Sequence, residues 1–166
     1  VWKFRNKLFE KLSISKKYEH DKEIFIKTDN ILSEQKLRDF LEQLEVDHSF
    51  YLKSRLIVTN WLSFFEEVGN EYMLPRLRKR RRKLFIAYKK LLDFLAINFF
   101  VYPEWQKDEI TKLCMYPDLN IDRAGIGNKK DYELYIIYVD ELESHTESVL
   151  ENYIKYRKAV KKLLNL

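Results

Sequence analysis

Cysteine, glycine and proline are all scarce in this sequence. The chain has 166 residues, of which 3 are glycine, 3 are proline and 1 is cysteine. A single thiol excludes an internal disulfide framework and a zinc site built from several cysteines, and it is typical of a reducing compartment. Few positions break a helix, and 46% of the residues are hydrophobic. This composition favours a folded, helical, cytoplasmic protein over a disordered one.

Long apolar runs are also missing. The longest uncharged segments, Leu56 to Phe65 and Phe94 to Pro103, are far shorter than the roughly 20 residues that a helix needs to cross a bilayer. The residues given therefore predict no membrane-spanning helix. The order Val1-Trp2 followed by Lys3, Arg5 and Lys7 is nevertheless that expected just after a membrane helix on its cytoplasmic side. A tether upstream of Val1 and a free amphipathic first helix are both left open.

Hydrophobic spacing predicts one all-α domain over residues 1–166, an elongated antiparallel bundle. A basic N-terminal helical segment covers 1–32, in which Phe4, Leu8 and Leu12 lie four residues apart and Asp21 is expected to cap a second short helix. The predicted long helices are 34–68, 71–101 and 131–165. A loop-rich connection is expected over 103–130, with room for a short helix from Trp105 to Met115.

The predicted helix 34–68 begins at a clear signal, because Ser33 is a favoured N-cap and Glu34 follows in the first turn. Its apolar positions alternate by four and three residues, as in a coiled coil, and only His48 and Arg55 interrupt them. The same spacing runs through the predicted last helix. We expect one buried face on the first of these helices, formed by Leu37, Leu41, Leu44, Val58, Leu62 and Phe65.

A run of basic residues at 76–83 is the strongest candidate site. The apolar stripe of the predicted helix 71–101 is Leu77, Leu84, Tyr88, Leu91 and Leu95. At 100° per residue, one set of basic side chains faces away from this stripe. This candidate anion-binding set is Lys79, Arg82, Lys83, Lys89 and Lys90. Three interpretations stay open. The acids of 34–71 and 131–154 could neutralise the run, or it could bind anionic lipid or polyphosphate, or it could contact nucleic acid nonspecifically.

Metal and catalytic motifs are weak or absent in the sequence. Glu45 and His48 have the Glu-x-x-His spacing of helical di-iron sites, but neither His20 nor His145 has a glutamate three residues earlier, so the second pair is missing. The Arg-x4-His motif of helical ribonucleases fails at Ser15, Gln43 and Asp140. We therefore expect His48 to be a core or helix-junction residue, and we assign no metal, cofactor or catalytic residue.

The last predicted helix is rich in tyrosine, a residue favoured at half-wet interfaces. A bundle core explains most of these side chains, and we also expect the helix to dock a protein partner or a second copy. The first functional hypothesis is therefore a non-enzymatic interaction or scaffold domain. The alternative is a polyanion-binding module through 76–83, and an enzyme with an unrecognised site is the third. The tyrosines of the last predicted helix, on which the first hypothesis rests, are Tyr132, Tyr135, Tyr138, Tyr153 and Tyr156.

Overall fold

A computed structural model describes residues 2–104, 110–120 and 128–166, with side chains from residue 13 onward. The protein is mostly helical and also contains a small three-stranded sheet. In chain order the elements are α1 (Trp2–Ile31), α2 (Glu34–Asp47), β1 (Ser49–Tyr51), α3 (Leu52–Glu66), a 3-10 turn (Val68–Asn70), α4 (Pro75–Asn98), β2 (Phe99–Val101), β3 (Lys112–Met115) and α5 (Lys129–Leu164).

The prediction of one helix over 34–68 is wrong, because α2 and α3 are separated by β1. Ser33 caps α2 as expected, and its side chain accepts a hydrogen bond from the backbone N–H of Lys36. The helix ends where His48 adopts the left-handed conformation, with φ 45°. His48 is thus the helix-junction residue that was expected, and its Nδ1 lies 2.8 Å from the hydroxyl oxygen of Tyr135.

The expected helical class is broadly confirmed, but the structure adds a small sheet, and its strand β3 lies within 103–130, where a loop-rich connection was expected. Its strand order is β1-β3-β2, with both pairs antiparallel. Ser49 lies opposite Cys114, and Phe99 lies opposite Met115. A short helix was predicted from Trp105 to Met115. The prediction is wrong for Lys112–Met115, which form β3. Residues 105–109 of that segment lie outside the described part of the chain.

The other predicted helices are present with shifted ends. Helix 71–101 is shortened to α4, which starts at Pro75 and passes directly into β2. Helix 131–165 is α5, capped by the side chain of Asn128. The two short helices expected within 1–32 form the single helix α1, so Asp21 caps no helix there. Continuous helix is consistent with the absence of glycine and proline from residues 1–32.

One core joins the five helices of the described part of the chain. The predicted buried face of 34–68 is confirmed residue by residue even though it is divided between α2 and α3: all six of its side chains are buried. The most extensive packing is between α4 and α5. Where α3 meets these two helices, the ring of Trp61 lies 5.0 Å from that of Tyr88 and 6.4 Å from that of Tyr156.

Candidate functional site

The outer side of α4 carries the five basic residues singled out from the sequence, and all five are exposed. We call this set, Lys79, Arg82, Lys83, Lys89 and Lys90, the basic face. Within the described part of the chain, no carboxylate oxygen lies within 4.0 Å of the amino groups of Lys79, Lys83 or Lys90. These three lysines therefore present uncompensated charge to solvent.

Arg82 differs from the lysines because it pairs with Glu71, which precedes α4. One carboxylate oxygen of Glu71, Oε1, lies 2.8 Å from a terminal guanidinium nitrogen of Arg82 and 2.9 Å from one of Arg81. It also lies 3.8 Å from Nε of Arg78. We call these four residues the Glu71 cluster. The hydrogen bond from Arg82, followed by the charges of the arginines, lowers the pKa of Glu71.

Arg81 is the buried member of the Glu71 cluster, with 7% of the residue exposed. Its guanidinium lies over the ring of Phe65, 5.0 Å from the centroid, a distance typical of a cation–π contact. Its Nε atom is buried and has no hydrogen-bond partner among the described residues. Burial lowers the pKa of Arg81. Glu71 was not identified from the sequence, although it is the last acid before the basic run.

Helix α1 fixes the start of α4 through two adjacent residues. The carboxylate of Asp21 accepts hydrogen bonds from the backbone N–H groups of Met73, at 2.7 Å, and Leu74, at 2.9 Å. Nε2 of His20 donates to the backbone carbonyl of Glu71 at 3.1 Å. The backbone from 71 to 74, which leads into the basic run, is therefore held in place by α1.

The C-terminal end of α5 lies beside the same part of α1 and α4. The hydroxyl oxygens of Tyr72 and Tyr156 are 2.5 Å apart, and Arg157 pairs with Asp29. A cleft of about 500 Å³ is lined by residues 162–165 at the end of α5 and by Ser15, Tyr18, Glu19 and Lys22 of α1. Three basic segments thus meet at one end of the molecule, which we call the basic pole. Its exposed bases include Lys16, Lys17, Arg76, Lys79, Lys83, Lys158, Lys161 and Lys162.

Most acids of α5, those that precede His145, lie away from this pole. Phe94, near the C-terminal end of α4, packs against His145, with ring centroids 5.2 Å apart. The acids that precede His145 in α5 are therefore near the far end of α4 rather than beside the basic run. Of the two acidic segments expected to neutralise the run, only 34–71 supplies an ion-pair partner to it within the described residues, and that partner is Glu71.

The tyrosines of α5 are mostly core residues. Tyr135, Tyr153 and Tyr156 are buried, whereas Tyr138 is half-buried against Tyr116, with ring centroids 4.3 Å apart. Only Tyr132, which is 50% exposed, faces solvent. The tyrosine content of the helix is thus explained largely by packing.

Metal-ligating side chains are dispersed in the described part of the chain, which contains no cluster of three or more His, Cys, Asp or Glu side chains placed to hold an ion. His48, the histidine of the Glu-x-x-His pair, faces Tyr135. No helix described in the structure combines the length and apolarity needed to cross a membrane. Comparison with protein-family models, curated proteins and solved structures gives no match.

Proposed function

We propose that this protein is a non-enzymatic interaction module that binds anionic phospholipid surfaces through its basic face and the adjoining basic pole. The observation that carries the proposal is the exposure of Lys79, Lys83 and Lys90 without a carboxylate partner, on a helix whose start adjoins the basic ends of α1 and α5. Several bases on one side of a protein attract an anionic bilayer, each contributing about 1 kcal/mol near the surface.

Exposed isoleucines favour a lipid surface over nucleic acid. Ile86 lies among the lysines of the basic face and is 55% exposed, and Ile14 of α1 is 53% exposed beside Lys16 and Lys17. Apolar side chains among bases gain free energy at the boundary between headgroups and acyl chains, but they have no equivalent partner on a phosphate backbone. Nucleic acid is therefore the alternative ligand, and the experiment must distinguish its binding from the binding of lipid.

Two further proposals concern the setting of the protein. An antiparallel bundle, with the C-terminal end of α5 beside the start of α4, is the arrangement that would place the three basic segments together. A tether preceding Val1 would hold the basic pole near a membrane, because the exposed segment 13–19 of α1 extends from that pole. If it exists, the native protein will fractionate with membranes.

Vesicle co-sedimentation tests the proposed function. The protein is mixed with vesicles of phosphatidylcholine, with or without phosphatidylserine, at increasing salt. We expect sedimentation only with phosphatidylserine and release by salt, since exposed charges are screened. The triple variant Lys79→Gln, Lys83→Gln and Lys90→Gln should bind at least about ten-fold more weakly. The matched control replaces three exposed lysines elsewhere, Lys53, Lys129 and Lys130, with glutamine and should bind like the original protein.

Three outcomes would overturn this proposal. One is no sedimentation of the original protein at low salt. Another is an equal loss in the control triple variant, which would show that net charge alone matters. The third is displacement of the protein from vesicles by a mixed-sequence single-stranded oligonucleotide at nucleotide concentrations well below those of lipid, which would favour nucleic acid.

Self-association is a second, separate candidate. Four apolar side chains near the start of α5 are exposed: Tyr132, Leu134, Ile136 and Ile137. Light scattering coupled to size exclusion measures the mass directly. A dimer that the Ile137→Lys variant converts to a monomer would support this candidate, and a monomer at all concentrations would exclude it.

A further inference from the structure

The Glu71 cluster places three guanidinium groups around a single carboxylate oxygen at the N-terminal end of α4. Arginine donates charge-assisted hydrogen bonds to carboxylates and to phosphates alike, and Arg81 and Arg82 both donate to Oε1 of Glu71, so this carboxylate oxygen stands in for a phosphate oxygen. We propose that Arg78, Arg81 and Arg82 form a binding site for a phosphomonoester group and that Glu71 occupies this site until the ligand displaces it. This inference rests on the proposed function and names the headgroup chemistry that the basic pole recognises.

Charge balance supports displacement. The cluster has three positive charges and one negative charge, so the carboxylate leaves a net excess of positive charge. The other nearby acid, Asp21, already accepts from the N–H groups of Met73 and Leu74. A phosphomonoester has nearly two negative charges near neutral pH and three terminal oxygens, enough for each guanidinium to have its own acceptor. The N-terminal end of α4 adds the favourable side of the helix dipole.

Arg81 is buried and fixed in the site, whereas the side chain of Glu71 is partly exposed and can move. The side chain of Arg81 is only 9% exposed and lies over Phe65, so its guanidinium stays in place, and its Nε has no partner among the described residues. The side chain of Glu71 is 36% exposed, while its backbone carbonyl is held by His20. Glu71 can therefore rotate into solvent without moving the backbone that leads into α4.

The experiment compares vesicles of phosphatidylcholine mixed with phosphatidic acid, which has a phosphomonoester, and with phosphatidylserine, which has none. The original protein should prefer phosphatidic acid at equal surface charge. Glu71→Gln removes the competing carboxylate and should strengthen binding to phosphatidic acid by about ten-fold, the effect of a charge-assisted hydrogen bond. Glu66→Gln is the matched control, because it removes an exposed acid close by that makes no contact with the arginines. It should leave the preference unchanged.

A second variant tests the arginine fork without altering the charge. Arg82→Lys keeps the positive charge of an exposed side chain but loses bidentate geometry. It should remove the preference for phosphatidic acid over phosphatidylserine at equal surface charge. Because Arg82 is 60% exposed, we expect this variant to fold even if Glu71→Gln does not.

Inorganic phosphate distinguishes the two sources of the ligand. Competition by millimolar inorganic phosphate, added at constant ionic strength, would identify a site for free phosphate, whereas preference for phosphatidic acid without competition would identify a lipid headgroup site. Either result supports the phosphomonoester chemistry. Equal effects of Glu71→Gln and Glu66→Gln on both kinds of vesicle, with an unchanged preference in Arg82→Lys, would overturn it. Phosphatidylserine binding would then remain, so the proposed function would survive this failure.

Discussion

The carboxylate of Asp21, in the middle of α1, accepts hydrogen bonds from the backbone N–H groups of Met73 and Leu74 at the start of α4. Leu74 is the residue before the helix, and its apolar side chain forms no cap. One helix therefore supplies the N-terminal cap of another, and it places a negative charge where the dipole of α4 favours one. This contact ties the basic run to the body of the protein.

Replacing Asp21 with asparagine should lower the free energy of unfolding by about 1–3 kcal/mol, because one acceptor oxygen and the charge are lost at a buried position. Urea unfolding followed by circular dichroism measures the change. The control is Asp140→Asn on the exposed side of α5, where we expect a change within about 0.5 kcal/mol. Equal effects of the two substitutions would show that the bonds to Met73 and Leu74 are not stabilising.

The buried hydroxyl pair of Tyr72 and Tyr156 should show coupling in a double-mutant cycle. Tyr156→Phe leaves the hydroxyl of Tyr72 with one partner fewer, and we expect it to destabilise the protein by about 1–3 kcal/mol. Adding Tyr72→Phe to that variant should cost less than Tyr72→Phe alone, since no hydroxyl is then left without its partner. Additive effects in urea unfolding would mean that the 2.5 Å contact contributes nothing specific.

Alkaline pH should destabilise the protein through its buried tyrosines. Burial raises the pKa of Tyr156 from 10.0 to about 12. A raised folded-state pKa gives stability that is complete below about pH 10 and is lost as the pH rises, by up to about 1.4 kcal/mol per pH unit for each such group. Burial shifts the pKa of three further tyrosines upward in the same way: Tyr72, Tyr88 and Tyr153.

The measurement is urea unfolding at several pH values between about 9 and 11, with phenolate absorbance recorded in parallel. Tyr156→Phe should reduce the slope of stability against pH, whereas replacing the exposed Tyr132 with phenylalanine should not. Titration of all tyrosines near their ordinary pKa, while the protein remains folded, would contradict this prediction.

Leu142 is 1% exposed, on the buried side of α5. Leu142→Asp should unfold the protein or lower its stability by several kcal/mol, because burying an unpaired carboxylate is strongly unfavourable. Glu143→Asp is the control at the adjacent, exposed position. An unchanged melting temperature for Leu142→Asp would exclude this part of α5 from the core.

The sequence predicted helix faces better than helix ends. Ser33 was identified as a cap from its own chemistry and that of Glu34. The buried residues of α2 and α3 were identified from their spacing, since burial on one side imposes a period whether the helix is continuous or divided. The break lies between Leu44 and Val58, which are two heptads apart. The apolar spacing is therefore the same on both sides of β1, and it gave no sign of the strand.

The break at 48–51 could not be read from the local sequence because its cause is not local. No glycine or proline marks it. The left-handed conformation falls on His48, and Ser49–Tyr51 becomes a strand because it pairs with Lys112–Met115, about sixty residues later in the chain. The only local signal was the interruption of the apolar seam at His48, together with the strand preference of phenylalanine and tyrosine.

For the basic face, too, the sequence predicted the exposure of side chains but not their contacts with distant residues. Exposure of Lys79, Lys83 and their neighbours follows from helical geometry and was predicted. The partnership of Arg81 and Arg82 with Glu71 depends on the path of 71–74, which α1 sets through His20 and Asp21. The hydrogen bonds from α1 to 71–74 join residues about fifty positions apart. The spacing of residues within α4 cannot predict such contacts.

Helix α5 is the packing partner of α1, α2 and α4, and its Tyr156 also contacts Trp61 of α3. It is also the last helix of these 166 residues to leave the ribosome. At about 5–20 residues per second, α1 to α4 are made several seconds before the partner that buries them. A nascent chain stopped at residue 128 should therefore be protease-sensitive and bind chaperones, and resistance should arise in one step once residues 129–164 are released.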